Sequence, residues 1–225
     1  MLSYTMVIAF ANWFDGRLIS IFRLVTDAGT LIFPLTFLLS DLITEVYGYK
    51  HARRAIWCGF LFNLFFIIYG QIVIHMPNPN FPTNNIMFDT ILAFNCRIII
   101  ASFISYLCSE PLNSLIMAKM KIFTNGRFMW LRFVTSTISS AALDSVIFTV
   151  IAFYGTMSNG NLIEFIIVMW FIKVIIEIAG LPCSIYLANK LKNLESLDIY
   201  DKKTRFNIFK LEAVYESANN EYGQH

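Results

Sequence analysis

From Ala55 to Met76 the chain places one apolar side chain after another, with Asn63 and Gln71 the polar interruptions before His75. A helix of that length, at about 1.5 Å of rise per residue, matches the roughly 30 Å hydrocarbon core of a bilayer. Two more runs are as long, Leu131 to Tyr154 and Leu162 to Leu187. Ile91 to Met117 is also long enough, although it contains Arg97, Glu110 and Pro111, and Thr30 to Tyr47 carries Asp41 and Glu45. Composition agrees: of 225 residues, 57% are hydrophobic and 14% charged, where a soluble domain carries about 25% charged residues. Met1 to Phe14 is the short run, reaching only about 21 Å as a helix. It lacks a basic leader and a small-residue cleavage site, so it reads as a half-span or as a first helix whose start is missing from this chain. The expected fold is an all-α membrane bundle of six transmembrane helices over residues 1–190, the first short or truncated. A polar cytoplasmic tail, 191–225, follows.

Several classes are excluded. A net charge of +2 is too small for a basic nucleic-acid binder. The four cysteines, Cys58, Cys96, Cys108 and Cys183, lie inside apolar runs with no CxxC pair, so they read as core packing residues. No HExxH and no Walker A motif occur, and His51 and His75 do not suggest a metal site. No cofactor or metal is expected.

Lys and Arg in the connectors set orientation. Lys50, Arg53 and Arg54 follow the second run; Lys119, Lys121, Arg127 and Arg132 surround the fourth connector; the tail holds Lys190, Lys192, Lys202, Lys203, Arg205 and Lys210. Pro77 to Thr90 and Gly155 to Asn161 hold neither Lys nor Arg. This alternation puts both termini in the cytoplasm. Asp15 to Gly29 fits less well, since Arg17 and Arg23 fall on the outer side, balanced by Asp15 and Asp27. In the tail, Phe206, Ile208, Phe209, Leu211 and Val214 are spaced as in a short amphipathic helix, the alternative being a mobile tail.

Ionisable residues inside the runs carry the functional signal. Each costs at least about 2.5–3.5 kcal/mol at a membrane midplane, so Asp41, Glu45, Arg97, Glu110, Asp144, Lys173 and Glu177 must share a polar interior. Asp41 and Glu45 are four apart on one helix face, as are Lys173 and Glu177, which could pair within their helix or reach across. Glu110 and Asn113 flank Pro111, which frees a backbone carbonyl. Thr137, Ser140 and Asp144 form one stripe. Structural roles compete: Lys173 and Glu177 as a register-fixing pair, Glu45 as an interface partner of Arg53 or Arg54, Glu110 as a half-solvated boundary group. Trp57 and Trp130 read as interface anchors.

Laid out in order, these residues bring a resemblance. FPLTFLLSDLITEVYGYKHARRAIW (Phe33 to Trp57) is similar to the signature of the queuosine precursor transporter family, also called the vitamin uptake transporter family. The likeness continues through CRIIIASFISY (Cys96 to Tyr106), EPLNSLIMAKMK (Glu110 to Lys121), TSTISSAALDSVIF (Thr135 to Phe148) and WFIKVIIEI (Trp170 to Ile178). One departure is Ser140-Ala141-Ala142, where many members carry Gly-Gln or Gly-Asn; the polar contact there is absent or supplied by Ser139 or Ser140. The resemblance implies six helices like the substrate-binding subunits of energy-coupling-factor importers. It also implies uptake of 7-deazaguanine bases (7-cyano-7-deazaguanine, 7-aminomethyl-7-deazaguanine or queuine) across an inner membrane for tRNA modification. The expected partners are such a base and the lipid bilayer, with no nucleic acid. The expected substrate site comprises Asp41, Glu45, Arg97, Asn113, Asp144, Lys173 and Glu177. A guanine-like edge offers two N–H donors to a carboxylate, its carbonyl suits Arg or Lys, and its plane suits aromatic stacking. The alternatives are a binding subunit that needs an energising partner and, from a different class, an intramembrane enzyme. No nucleophile–base arrangement supports the enzyme.

Overall fold

Apolar length and three helix-breaking positions partition the chain. The computed structural model describes residues 1–21, 24–81, 83–94, 96–202, 204–210, 214–216 and 219–222; Arg23, Lys203 and Leu211 lie outside them. α1, Leu2–Phe14, is followed by an antiparallel hairpin of β1, Leu18–Ile21, and β2, Leu24–Asp27, in the register Leu18 to Asp27. A 3-10 turn, Gly29–Leu31, leads into α2, Pro34–Tyr47, which starts on a proline whose missing N–H costs nothing in the first turn. Gly48, at φ +81°, separates α2 from α3, Tyr49–Ile74. α4, Asn85–Phe94, and α5, Cys96–Phe123, come next, and Pro111 is carried inside α5. α6 is Met129–Phe153. α7, Asn159–Glu195, begins at Ser158, whose hydroxyl accepts from the Asn161 N–H at 3.3 Å.

Among the described residues there are therefore seven helices where the runs led us to expect six, because the 77–90 connector winds into α4 before α5 begins. Four segments among the described residues are long and apolar enough to cross a membrane: Gly29–Tyr47, Tyr49–Ile74, Arg97–Phe123 and Met129–Phe153. α7 is longer still at 37 residues. Its outward stripe, Ile163, Ile167, Phe171, Ile175 and Ile178, is exposed, while Met169, Lys173 and Glu177 face inward. A water-soluble surface does not present such a stripe; a lipid-facing one does.

The inner elements are α2, α5, α6 and α7: α5 packs on α6, α6 on α7, and α2 on both α5 and α7. The apolar span of α2 is 72% buried, that of α3 only 17%. α3 is a peripheral helix, laid against α1, α2 and α5. The Tyr4 and Tyr106 hydroxyls lie 3.0 Å apart, and Tyr106 donates to the Ile56 carbonyl at 2.9 Å, tying α1, α5 and α3 together.

Two expectations are corrected. Cys58, Cys108 and Cys183 point out of the bundle, not into its core; the side chain of Cys96 lies outside the described ones. Among the described residues the tail forms no helix and instead packs on the helix ends. Asp201 accepts from the Tyr49 N–H at 2.9 Å and from the Tyr215 hydroxyl at 2.6 Å. Arg53 and the Trp57 indole N–H donate to the carbonyls of Asn207 and Ile208 at 2.6 and 2.8 Å. Trp57 thus holds the tail, and Arg53 is spent on it as well.

Candidate functional site

Buried polar side chains recur at helical spacing on the four inner helices and line up through the bundle. On α6 the inward positions Arg132, Ser136, Ser140, Asp144 and Phe148 fall one turn apart, all buried. α2 contributes Phe33, Asp41 and Glu45; α5 contributes Ser102, Ser105, Ser109, Asn113 and Lys121; α7 contributes Met169, Lys173, Glu177 and Lys192. The result is a polar path with three levels.

At one end is a narrow cleft with a cavity volume of about 10 Å³, walled by Phe33, Phe148 and Met169 with Asp15, Asp144 and Lys173. Lys173 Nζ donates to Asp144 Oδ2 at 2.5 Å and sits 4.6 Å over the Phe33 ring. Ser109 donates to the other oxygen of Asp144 at 3.3 Å. Asp27 accepts from the N–H and hydroxyl of Thr30, both at 2.6 Å, which pins the hairpin to the start of α2. Burial holds the Asp15 carboxyl well above the ordinary carboxylate range, with Asp27 pushing the same way and Lys173 opposing.

One to two turns deeper, Asp41 accepts from the Asn113 amide at 2.6 Å, and Asn113 accepts from the Ser140 hydroxyl at 3.1 Å. Around this chain stand Glu110 and Glu177, each fully buried. Among the described residues no hydrogen bond of good geometry reaches either oxygen of Glu110 or of Glu177, Asp41 Oδ2, or the hydroxyls of Thr137 and Ser145, while the Tyr4, Thr36 and Ser40 hydroxyls stand beside Glu110 and that of Thr137 beside Glu177. Buried polar groups are nearly always paired, and it is at this level that the described residues gather their loosely paired ones.

At the far end Glu45 is surrounded by cations. Arg132 donates to it through two nitrogens, at 2.9 and 2.6 Å, and Lys192 reaches the same carboxylate at 2.5 Å. Lys121 donates to the Glu45 carbonyl at 2.5 Å and to Asp198 in the tail at 2.6 Å. Those charges close the path with a network in which each group has a partner.

The seven expected residues thus divide. Asp41, Asn113, Asp144, Lys173 and Glu177 lie along the first two levels. Glu45 belongs to the far ion network, and its partners are Arg132, Lys121 and Lys192. Arg97 is not brought to the path: exposed on α5, it donates to the carbonyls of Ile151 and Tyr154 at 2.8 and 2.6 Å. A cation on the last carbonyls of a helix neutralises its negative end. Lys173 reaches across to α6, not along α7 to Glu177. The sequence put Glu110 among the residues of a shared polar interior but left it out of the expected site, weighing it as a half-solvated boundary group. It also missed Asp15 and Asp27, which sat in a connector, and Arg132, which counted only toward orientation. The signal available for Glu110 was its position one turn from Asn113.

A helical multi-pass membrane protein with a buried polar path between its central helices is the class that fold and site define. The chain belongs to a transporter family: residues 27–187 match the family described as "Putative vitamin uptake transporter". It is 28% identical over 184 residues to a Bacillus subtilis (strain 168) protein named "Probable queuosine precursor transporter", covering 80% of this chain and 79% of that one. No solved structure matches it significantly.

Proposed function

We propose that this protein imports queuosine precursors, the 7-deazaguanine bases, across an inner membrane to supply tRNA modification. It would do so as a six-span carrier with both termini in the cytoplasm. One observation carries the reading: the buried carboxyls of Asp41, Glu110 and Glu177 lie together deep in the bundle beside hydroxyls and an amide, with no cation bound to them among the described residues. Solute carriers place their sites near the midplane between discontinuous or proline-broken helices, and Pro111 lies beside Glu110. A guanine-like edge presents N–H donors in pairs to such carboxylates. Phe33 and Phe148 offer faces for its plane. The name of the Bacillus relative points to the same ligands.

The test is complementation. A strain unable to make or import the precursors receives this gene, and queuosine in its tRNA is measured at limiting supplied base. Queuosine that depends on the gene supports the proposal; its absence with the protein present in the membrane refutes it. Tags placed at Asn80 and Asn159 are expected outside, and one at the C-terminus inside; a cytoplasmic Asn80 tag overturns the six-span reading.

A further inference from the structure

We propose that the path selects a cationic base, so that among 7-deazaguanines the aminomethyl form is preferred over the cyano form. This rests on the import function proposed above. The two inner levels of the path hold four buried carboxyls on the inner helices, Asp41, Glu110, Asp144 and Glu177, and, among the described residues, one cation, Lys173. Lys173 is already engaged by Asp144 at 2.5 Å. Asp27 is spent on Thr30, and one oxygen of Asp41 on Asn113. Arg97 is turned to the end of α6, and Arg132, Lys121 and Lys192 are bound to Glu45.

Beside the acids, the hydroxyls of Thr137 and Ser145 are buried on α6, that of Thr137 next to Glu177. Acceptors gathered in this number call for a ligand rich in N–H donors. An excess of carboxyls over cations adds a demand for positive charge, because a buried unpaired carboxylate is costly until a cation meets it. An aminomethyl group on a guanine-like base is a protonated alkylamine at neutral pH and brings three donors. A nitrile at the same position brings no donor and no charge, and its lone pair would face carboxylate oxygens. Discrimination of this kind follows from repulsion of the wrong ligand as much as attraction of the right one.

The experiment measures binding of 7-aminomethyl-7-deazaguanine and of 7-cyano-7-deazaguanine to the purified full chain in detergent. The aminomethyl base should bind about tenfold tighter or more, as expected for one close buried charge pair. Glu177→Gln and Glu110→Gln should each lower affinity for the aminomethyl base more than for the cyano base, with monodispersity on gel filtration showing that the variants fold. Equal or tighter binding of the cyano base overturns the cationic selection while leaving import of deazaguanines standing. Binding of neither base overturns both.

Discussion

Lys173 on α7 pairs with Asp144 on α6, Nζ to Oδ2 at 2.5 Å, although Glu177 lies one turn away on its own helix. Each partner is 2% exposed. The pair therefore joins two helices at the cleft and is not made with Glu177. Removing one member strands the other as a buried charge, which costs about 3–5 kcal/mol. Lys173→Met is expected to lower the thermal midpoint in detergent sharply, and the double variant Lys173→Met with Asp144→Asn to recover much of the loss. Additive losses would show that the two groups do not interact.

Glu45 accepts both fork nitrogens of Arg132. Lysine keeps the charge but cannot supply that fork. Arg132→Lys should cost about 1.5–3 kcal/mol, the worth of a hydrogen bond to a charged group, read as a lower unfolding midpoint. A variant with unchanged midpoint would remove the far ion network from the account.

Gly48 has φ +81° and ψ 170°, backbone that costs other residues about 1–3 kcal/mol. A Cβ there would also meet the Tyr215 hydroxyl at 2.5 Å and Ile199 at 2.8 Å. Gly48→Ala should destabilise the protein and release the tail, seen as faster proteolysis between 199 and 215. Unchanged proteolysis would contradict the docked tail.

Much of the bundle was legible because a bilayer demands long apolar helices, and Ala55–Met76 or Leu131–Tyr154 offer little else. Asp41, Asn113 and Glu177 were legible for the complementary reason, that a charge or amide inside such a run needs a polar interior. The β1–β2 hairpin and α4 were not, being short elements in connectors with no sustained period. Which ion meets which was not legible either. Spacing along one helix placed Lys173 beside Glu177, whereas packing of α6 on α7 supplies Asp144. Arg97 sat deep in a run by counting yet near the end of α6 in space, where free carbonyls capture it.

Asp15 and Asp27 carry raised pKa values, burial being the first cause in both. A carboxyl raised on folding contributes stability below its unfolded value of about 3.9 and loses it as pH rises through the higher folded value. Wild-type thermal midpoints in detergent should fall as pH is raised from about 4 toward neutrality. Asp15→Asn should flatten that fall. A midpoint that rises with pH, or an equal slope in the variant, would contradict the buried placement of Asp15.

The most direct measurement is uptake of a labelled 7-deazaguanine base into liposomes containing this protein alone. Saturable uptake is predicted, reduced about tenfold or more in Asp41→Asn and Glu177→Gln, each of which removes a carboxyl from the path. Uptake no greater than in empty liposomes, or variants that transport as well as wild type, would contradict import through the buried acids of the bundle.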